Sequence, residues 1–162
     1  MALDKVVEVL LLVLVANGAP ILASRYFPRW LDYRIDGGLL LADGRPLLGA
    51  TKTWRGLLVS LAATALAAML LGYGWRTGLV AAGAAMAGDL LSSFVKRRLG
   101  IPSSGMAPVL DQLPEALLPA LALIGYMELN WLEAVVGALL FCALELPISR
   151  LLYRLGVRDR PY

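Results

Sequence analysis

Asp89, Ser92 or Ser93, and Lys96 stand at i, i+3/i+4 and i+7, and Arg97 and Arg98 follow at once. On a helix this spacing sets an acid, a hydroxyl and a cation along one face. Such a stripe suits a site that holds a metal and a polyphosphate. Mg²⁺ prefers oxygen ligands, commonly one or two carboxylates, and completes its shell with water and phosphate oxygens. Asp111, on a later segment, is the economical second acid. Upstream, Gly49-Ala50-Thr51-Lys52-Thr53-Trp54-Arg55-Gly56 gathers glycines, hydroxyls and two cations. That composition can cradle phosphate through backbone N–H groups and charge-assisted bonds. Taken singly, each group has a plainer reading, Lys96-Arg97-Arg98 as a membrane anchor and the upstream segment as a flexible basic loop.

The elements that must position these residues are set by composition. The chain has 162 residues, 59% hydrophobic and 17% charged. A soluble domain carries about a quarter charged residues, so this balance points to a bundle of membrane spans with little room for a second, water-soluble domain. There is no histidine, which removes His-based acid–base catalysis, a Ser-His-Asp triad and the usual zinc sites. The single cysteine, Cys142, removes any internal disulfide. A formal charge of +3 would suggest nucleic acid in a soluble protein. In a membrane protein it reads as cytoplasmic loops, so no nucleic-acid partner is expected.

Five stretches are apolar enough to cross a hydrocarbon core, near 6–24, 57–74, 77–95, 109–126 and 131–149. The fold class is therefore all-α, a five-span membrane protein formed as one domain over 1–162, with connecting loops at about 25–56 and 96–108. Gly18-Ala19-Pro20 predicts a break or kink in the first span. Gly78/Ala82 and Ala84/Gly88, at four-residue spacing, predict close packing of spans two and three. Loop 25–56 carries six basic residues, the segment after span three carries three and the C-terminus four, together thirteen of the 15. By the positive-inside rule these lie in the cytoplasm and the N-terminus lies outside.

This topology gives the polar residues a depth. Asp89 lies about 10 Å below the cytoplasmic end of span three at 1.5 Å rise per residue. Asp111 and Glu115 begin span four, Glu145 approaches the end of span five, and Asn17 sits in the cytoplasmic half of span one. A carboxylate facing lipid costs at least about 2.5–3.5 kcal/mol, so these groups are expected to line one cytoplasm-facing polar pocket. The alternative is that each is a packing or headgroup-level residue. The roles of Asn17, Asp36 and Glu145 stay open, as does homo-oligomerisation.

Two partial motifs fail. Gly44 and Gly49 have Walker A spacing, but Ala50-Thr51 intervene before Lys52-Thr53. Asp43-Gly44-Arg45 starts like a CDP-alcohol phosphotransferase signature without its downstream aspartates.

Gly88-Asp89-Leu90-Leu91-Ser92-Ser93-Phe94-Val95-Lys96-Arg97-Arg98-Leu99-Gly100, then Ser104-Gly105 and Asp111-Gln112-Leu113, resemble the hallmark of the CDP-archaeol synthase family, itself similar to the CDP-diacylglycerol synthases. Asp36-Gly37-Gly38 and the Gly49–Gly56 segment agree with the archaeal type. The resemblance spans nearly the whole chain. It implies Mg²⁺-dependent transfer of a cytidylyl group from CTP to a phosphorylated dialkyl- or diacylglycerol, releasing pyrophosphate, at the cytoplasmic side of the cell membrane. It implies metal binding by Asp89 and Asp111, a catalytic role for Lys96, and nucleotide or phosphate binding by Lys52, Thr53, Arg55, Ser93, Arg97 and Arg98. Where these families tend to carry a second acid three residues after the first, this chain has Pro114 with Glu115 next, so Glu115 is the candidate for a second metal. A small transporter or channel subunit, with Asp89, Asp111 and Glu145 as an ion path, is the competing reading. It would need polar residues in the outer halves of the spans, which are few.

Overall fold

The computed structural model describes residues 2–103 and 105–157. Ser104 of the quoted serine-glycine pair, and Arg158 and Arg160 of the C-terminal basic run, lie outside the described residues. The architecture is helical: α1 Leu3–Tyr26, α2 Trp54–Leu70, α3 Trp75–Arg98, α4 Pro108–Ala122, the one-turn α5 Ile124–Met127, and α6 Trp131–Arg154. Among the described residues no strand forms. The loop before α2 has only isolated bridges, between Arg34 and Thr53 and between Leu40 and Pro46.

The five long helices close into a ring in the order α2, α3, α4, α6 and α1, and α1 also reaches across to α3 and α4. The reason lies in α1's apolar composition: Val6, Val9, Leu12, Val13 and Ala16 are all buried. Val9, Leu12 and Val13 join Ala120, Leu123 and Phe141 in the main apolar core, while Ala16 packs with Ala82 and Ala85 of α3 in a second cluster. Outward-facing Val7, Leu11, Leu66, Leu139 and Leu140 leave an apolar exterior, as expected of a bundle solvated by lipid.

α1, α3 and α6, each of 24 residues, are long and apolar enough to cross a membrane. α2 has 17 residues and α4 only 15, about 25 and 22 Å respectively. The stretch read as 57–74 is in fact helical from Trp54, and it ends at Leu70 because Gly72, at φ +86°, turns the chain into α3. The stretch read as 109–126 divides at Leu123 into α4 and α5.

The break expected at Gly18-Ala19-Pro20 does not occur, for α1 runs unbroken through Pro20. Proline lacks the N–H that would bond the carbonyl four residues back, that of Ala16. Ser60 of α2 supplies the missing donor, its Oγ lying 2.8 Å from the Ala16 carbonyl oxygen. The α1 defect is thereby repaired from the neighbouring helix, as a low-dielectric interior requires.

The small residues of α3 serve two neighbours rather than one. Gly78 faces the backbone of Thr64 and Ala65 in α2, while Gly88 faces the backbone of Pro114 and Glu115 in α4. A Cβ at Gly88 would overlap the Pro114 carbonyl, so only glycine allows α4 this close to the turn that carries Asp89.

Ser60→Ala should leave the Ala16 carbonyl without a donor and lower stability by about 1 kcal/mol, or roughly 2–4 °C in a detergent melt. Pro20→Ala restores the helical N–H. The double variant is expected to regain most of the loss, and equal losses in both backgrounds would contradict the repair.

Candidate active site

The end of the bundle opposite the apolar core opens into a cavity of about 570 Å³. Asn17 and Pro20 of α1, Asp89, Ser93, Lys96 and Arg97 of α3, and Asp111, Gln112 and Glu115 of α4 all line it. α6 contributes Glu145 and Ser149, and the loop contributes Lys52, Thr53 and Arg55 at the start of α2. Helical spacing is what brings the α3 group together, since Asp89, Ser93 and Lys96 recur near one turn and two. Of the two serines in that stripe, Ser93 faces the cavity. Ser92 is buried and its hydroxyl donates to the Gly88 carbonyl at 2.9 Å.

Two lysine–carboxylate pairs dominate the electrostatics. Lys52 Nζ lies 2.6 Å from both carboxylate oxygens of Asp89, a contact across 37 residues of sequence. Lys96 Nζ lies 2.6 Å from Asp111 Oδ1, and Asp111 Oδ2 accepts from the Ala107 N–H at 2.8 Å. Lys96 is 8% exposed, so its charge is held almost wholly by that partner. Glu115 is buried on the same side and is influenced by the charges of Asp89, Glu145, Lys52 and Asp111.

The arginines also bond the connecting segments. Arg55 donates to the carbonyls of Phe27 and Pro28 at 3.2 and 2.7 Å and pairs with Asp32 at 2.9 Å, which fastens the loop to the head of α2. Arg97 lines the cavity, but it donates to Ser103 Oγ and the Pro102 carbonyl, both at 2.8 Å. Arg98 is not brought to the cavity. Its guanidinium forks onto both oxygens of Asp43 at 2.7 Å and onto the Pro46 carbonyl. Thr53 is the N-cap of α2, its hydroxyl accepting from the Gly56 N–H at 3.3 Å.

Asp36, whose role the sequence leaves open, and Asp43, part of a motif that fails, are the residues that shape the loop. Asp36 accepts from the backbone N–H groups of Gly38, Leu48 and Gly49, and Asp43 accepts from that of Arg45. The signal was present in Asp36-Gly37-Gly38 and Asp43-Gly44-Arg45, because aspartate two residues before a backbone donor is turn chemistry. Burial pushes the Asp36 carboxyl up, but the three N–H donors and nearby Arg34 outweigh it and hold the group below the ordinary carboxylate range.

The donor set fits a hard cation. Asp89 and Asp111 line one cavity and offer oxygen only. Among the described residues no three acidic, histidine or cysteine side chains form a ready-made metal cage. One or two carboxylates with substrate oxygens is how Mg²⁺ is usually held.

Comparison with known proteins adds independent findings. The family model described as CarS-like, CDP-archaeol synthase, matches residues 71–162. A CDP-archaeol synthase of Aeropyrum pernix is 37% identical, with 99% of this chain and 94% of that protein covered. One of Sulfolobus acidocaldarius is also 37% identical, with 92% and 91% covered. A solved structure, described as an intramembrane enzyme for archaeal membrane lipids biosynthesis, superposes with a TM-score of 0.73 at 35% identity, covering 88% of this chain and 91% of that one.

The depressed Asp36 group sets a pH dependence for the loop. A carboxyl whose folded pKa lies below its unfolded value contributes fully above about 3.8, and its contribution erodes as pH falls below that value. Fluorescence of Trp30 and Trp54, with Trp75 and Trp131 replaced by Phe, should stay constant from neutral pH down to that point and change only on its acid side. A transition centred well above it would contradict the clamp.

Proposed function

The chain belongs to the CDP-archaeol synthase family, and we propose that it transfers the cytidylyl group of CTP to the phosphate of a dialkylglycerol lipid within the charged cavity. It is a multi-pass membrane protein. We count α2 and α4 as spans beside α1, α3 and α6, because both are packed inside the same ring despite their length. The cavity then opens to the cytoplasm, where the basic loop and the α3 end lie.

The observation that carries the site assignment is the pair of lysine–aspartate contacts facing one cavity from the loop, α3 and α4. The lipid phosphate oxygen forms a bond to the α-phosphorus of CTP, the bond from that phosphorus to the α,β-bridging oxygen breaks, and pyrophosphate leaves with the electron pair. Such transfer needs positioning and neutralisation of charge more than a proton-transferring histidine, which suits a chain with none. Mg²⁺, held by Asp89 and Asp111, would supply neutralisation of the phosphate oxygens. Lys52 and Lys96 would exchange their carboxylates for phosphate oxygens as the nucleotide arrives, freeing Asp89 and Asp111 to hold the cation. Each aspartate is thereby paired in both states, which a poorly solvated cavity demands. Ser93 adds a hydroxyl to the phosphate site, and Arg97 closes its rim through Ser103. Thr53 and Arg55 act through the backbone, fixing the α2 start from which Lys52 projects.

The transporter reading finds less support. An ion leaving the cavity on its far side would meet Leu12, Val13, Leu123 and Phe141, all buried in the apolar half.

Purified protein, labelled CTP, Mg²⁺ and a panel of lipid phosphates test the activity. Incorporation of label into a dialkylglycerol phosphate is expected, and equal turnover with CTP, UTP and ATP would contradict nucleotide selection by a polar site. Asp89→Asn and Asp111→Asn should each lower transfer by several orders of magnitude in folded protein. Glu115→Gln should match them only if Glu115 holds a second ion, so the comparison separates one-metal from two-metal versions. For orientation, a cysteine near Arg45, with Cys142 replaced, should be inert to an impermeant reagent outside intact cells.

A further inference from the structure

Lys52 reaches Asp89 from a segment without regular secondary structure, so something must fix where that segment runs. The chain leaves α1, makes a hairpin-like excursion with its tip at Asp43-Gly44, and returns to Lys52. Asp36 stands where the excursion begins. Its Oδ1 accepts the Gly38 N–H at 2.9 Å, and its Oδ2 accepts those of Leu48 and Gly49 at 2.9 and 3.3 Å. One carboxylate thus ties the outgoing limb of the loop to the return, three residues before Lys52. Alongside, the Ile35 N–H donates to the Lys52 carbonyl at 2.9 Å and the Trp54 N–H to that of Tyr33 at 3.0 Å, which sets Lys52 in register with the clamped segment.

The clamp also reaches the opposite rim. Gly49 has φ +110°, and a Cβ there would collide with Ser103 Oγ and come within 2.8 Å of Arg97 Nη1. The turn that Asp36 holds is therefore seated on the α3–α4 connection, against the guanidinium that lines the cavity. Asp36 itself is not among the cavity-lining residues.

We propose that Asp36 is a positioning residue of the nucleotide site, fixing through the Leu48-Gly49 backbone where Lys52 meets Asp89 and the incoming triphosphate. The inference rests on the reading of the cavity as the CTP site and goes beyond it by assigning a residue that lies outside the cavity lining. Substitution by Asn keeps the size, but the amide turns a donor towards N–H groups that need an acceptor. Charge-assisted hydrogen bonds are lost.

The experiment is calorimetric titration of the purified full chain with CTP and Mg²⁺, for the wild type, Asp36→Asn, Lys52→Met and the double variant. Asp36→Asn is expected to weaken CTP about tenfold or more, with KM for the lipid phosphate unchanged. In the Lys52→Met background the same change should have little further effect, because the residue acts through Lys52. A merely structural role would instead lower the melting temperature, move both KM values together and add fully to Lys52→Met. Unchanged CTP affinity in Asp36→Asn, or full additivity, overturns the positioning role while leaving the functional reading intact. A wild type that binds no CTP overturns that reading, and this role with it. Should Asp36→Asn fail to fold, Asp36→Glu keeps the charge on a longer arm. It is then expected to fold with CTP affinity below wild type, and wild-type affinity in that variant would overturn the role.

Discussion

A carboxylate inside a membrane bundle must meet a cation or water, and the structure is arranged around that demand. Asp89 and Asp111 sit on neighbouring helices, and each is met by a lysine at 2.6 Å. The cations do not arrive by chance. Gly88 lets α4 lie against α3, which brings Asp111 within reach of Lys96, and the clamped loop carries Lys52 over the helix ends to Asp89. Breaking such a pair would leave a half-buried charge without its partner. The pairs are therefore better regarded as a standing arrangement of charge than as a source of stability.

That arrangement divides the bundle along its length. One half is closed by aliphatic and aromatic packing around Leu12, Leu123 and Phe141, and the other is hollow and charged. A reaction between a water-soluble triphosphate and a lipid phosphate needs such a division, with polar contacts where charge moves and smooth apolar faces where hydrocarbon stays. The same economy appears in the backbone, where Ser60 satisfies the carbonyl that Pro20 leaves open.

Much of this was legible in the chain. The Asp89, Ser93 and Lys96 stripe follows from helical periodicity, and the shared level of Asn17, Asp111, Glu115 and Glu145 follows from counting residues from the basic loops. All of them line the cavity. The Lys52–Asp89 pair was not legible, because an irregular segment has no period from which a spatial neighbour can be read. Arg55 and Arg98 show the opposite difficulty. A loop that lacks secondary structure leaves carbonyls in need of donors, and these arginines satisfy them, a structural contact that composition alone does not reveal. Helix ends were misread where local chemistry overrode apolarity, at Gly72 after α2 and at Leu123 between α4 and α5.

On the proposed function, Asp89 and Asp111 receive a divalent cation together with CTP as their lysines turn to phosphate. Electron paramagnetic resonance of Mn²⁺ added to the purified protein, with and without CTP, examines it directly. Weak Mn²⁺ binding alone, strong binding with CTP, and loss of the CTP-dependent signal in Asp89→Asn and Asp111→Asn are the predicted result. Mn²⁺ and CTP bound with undiminished affinity by both folded variants would contradict it.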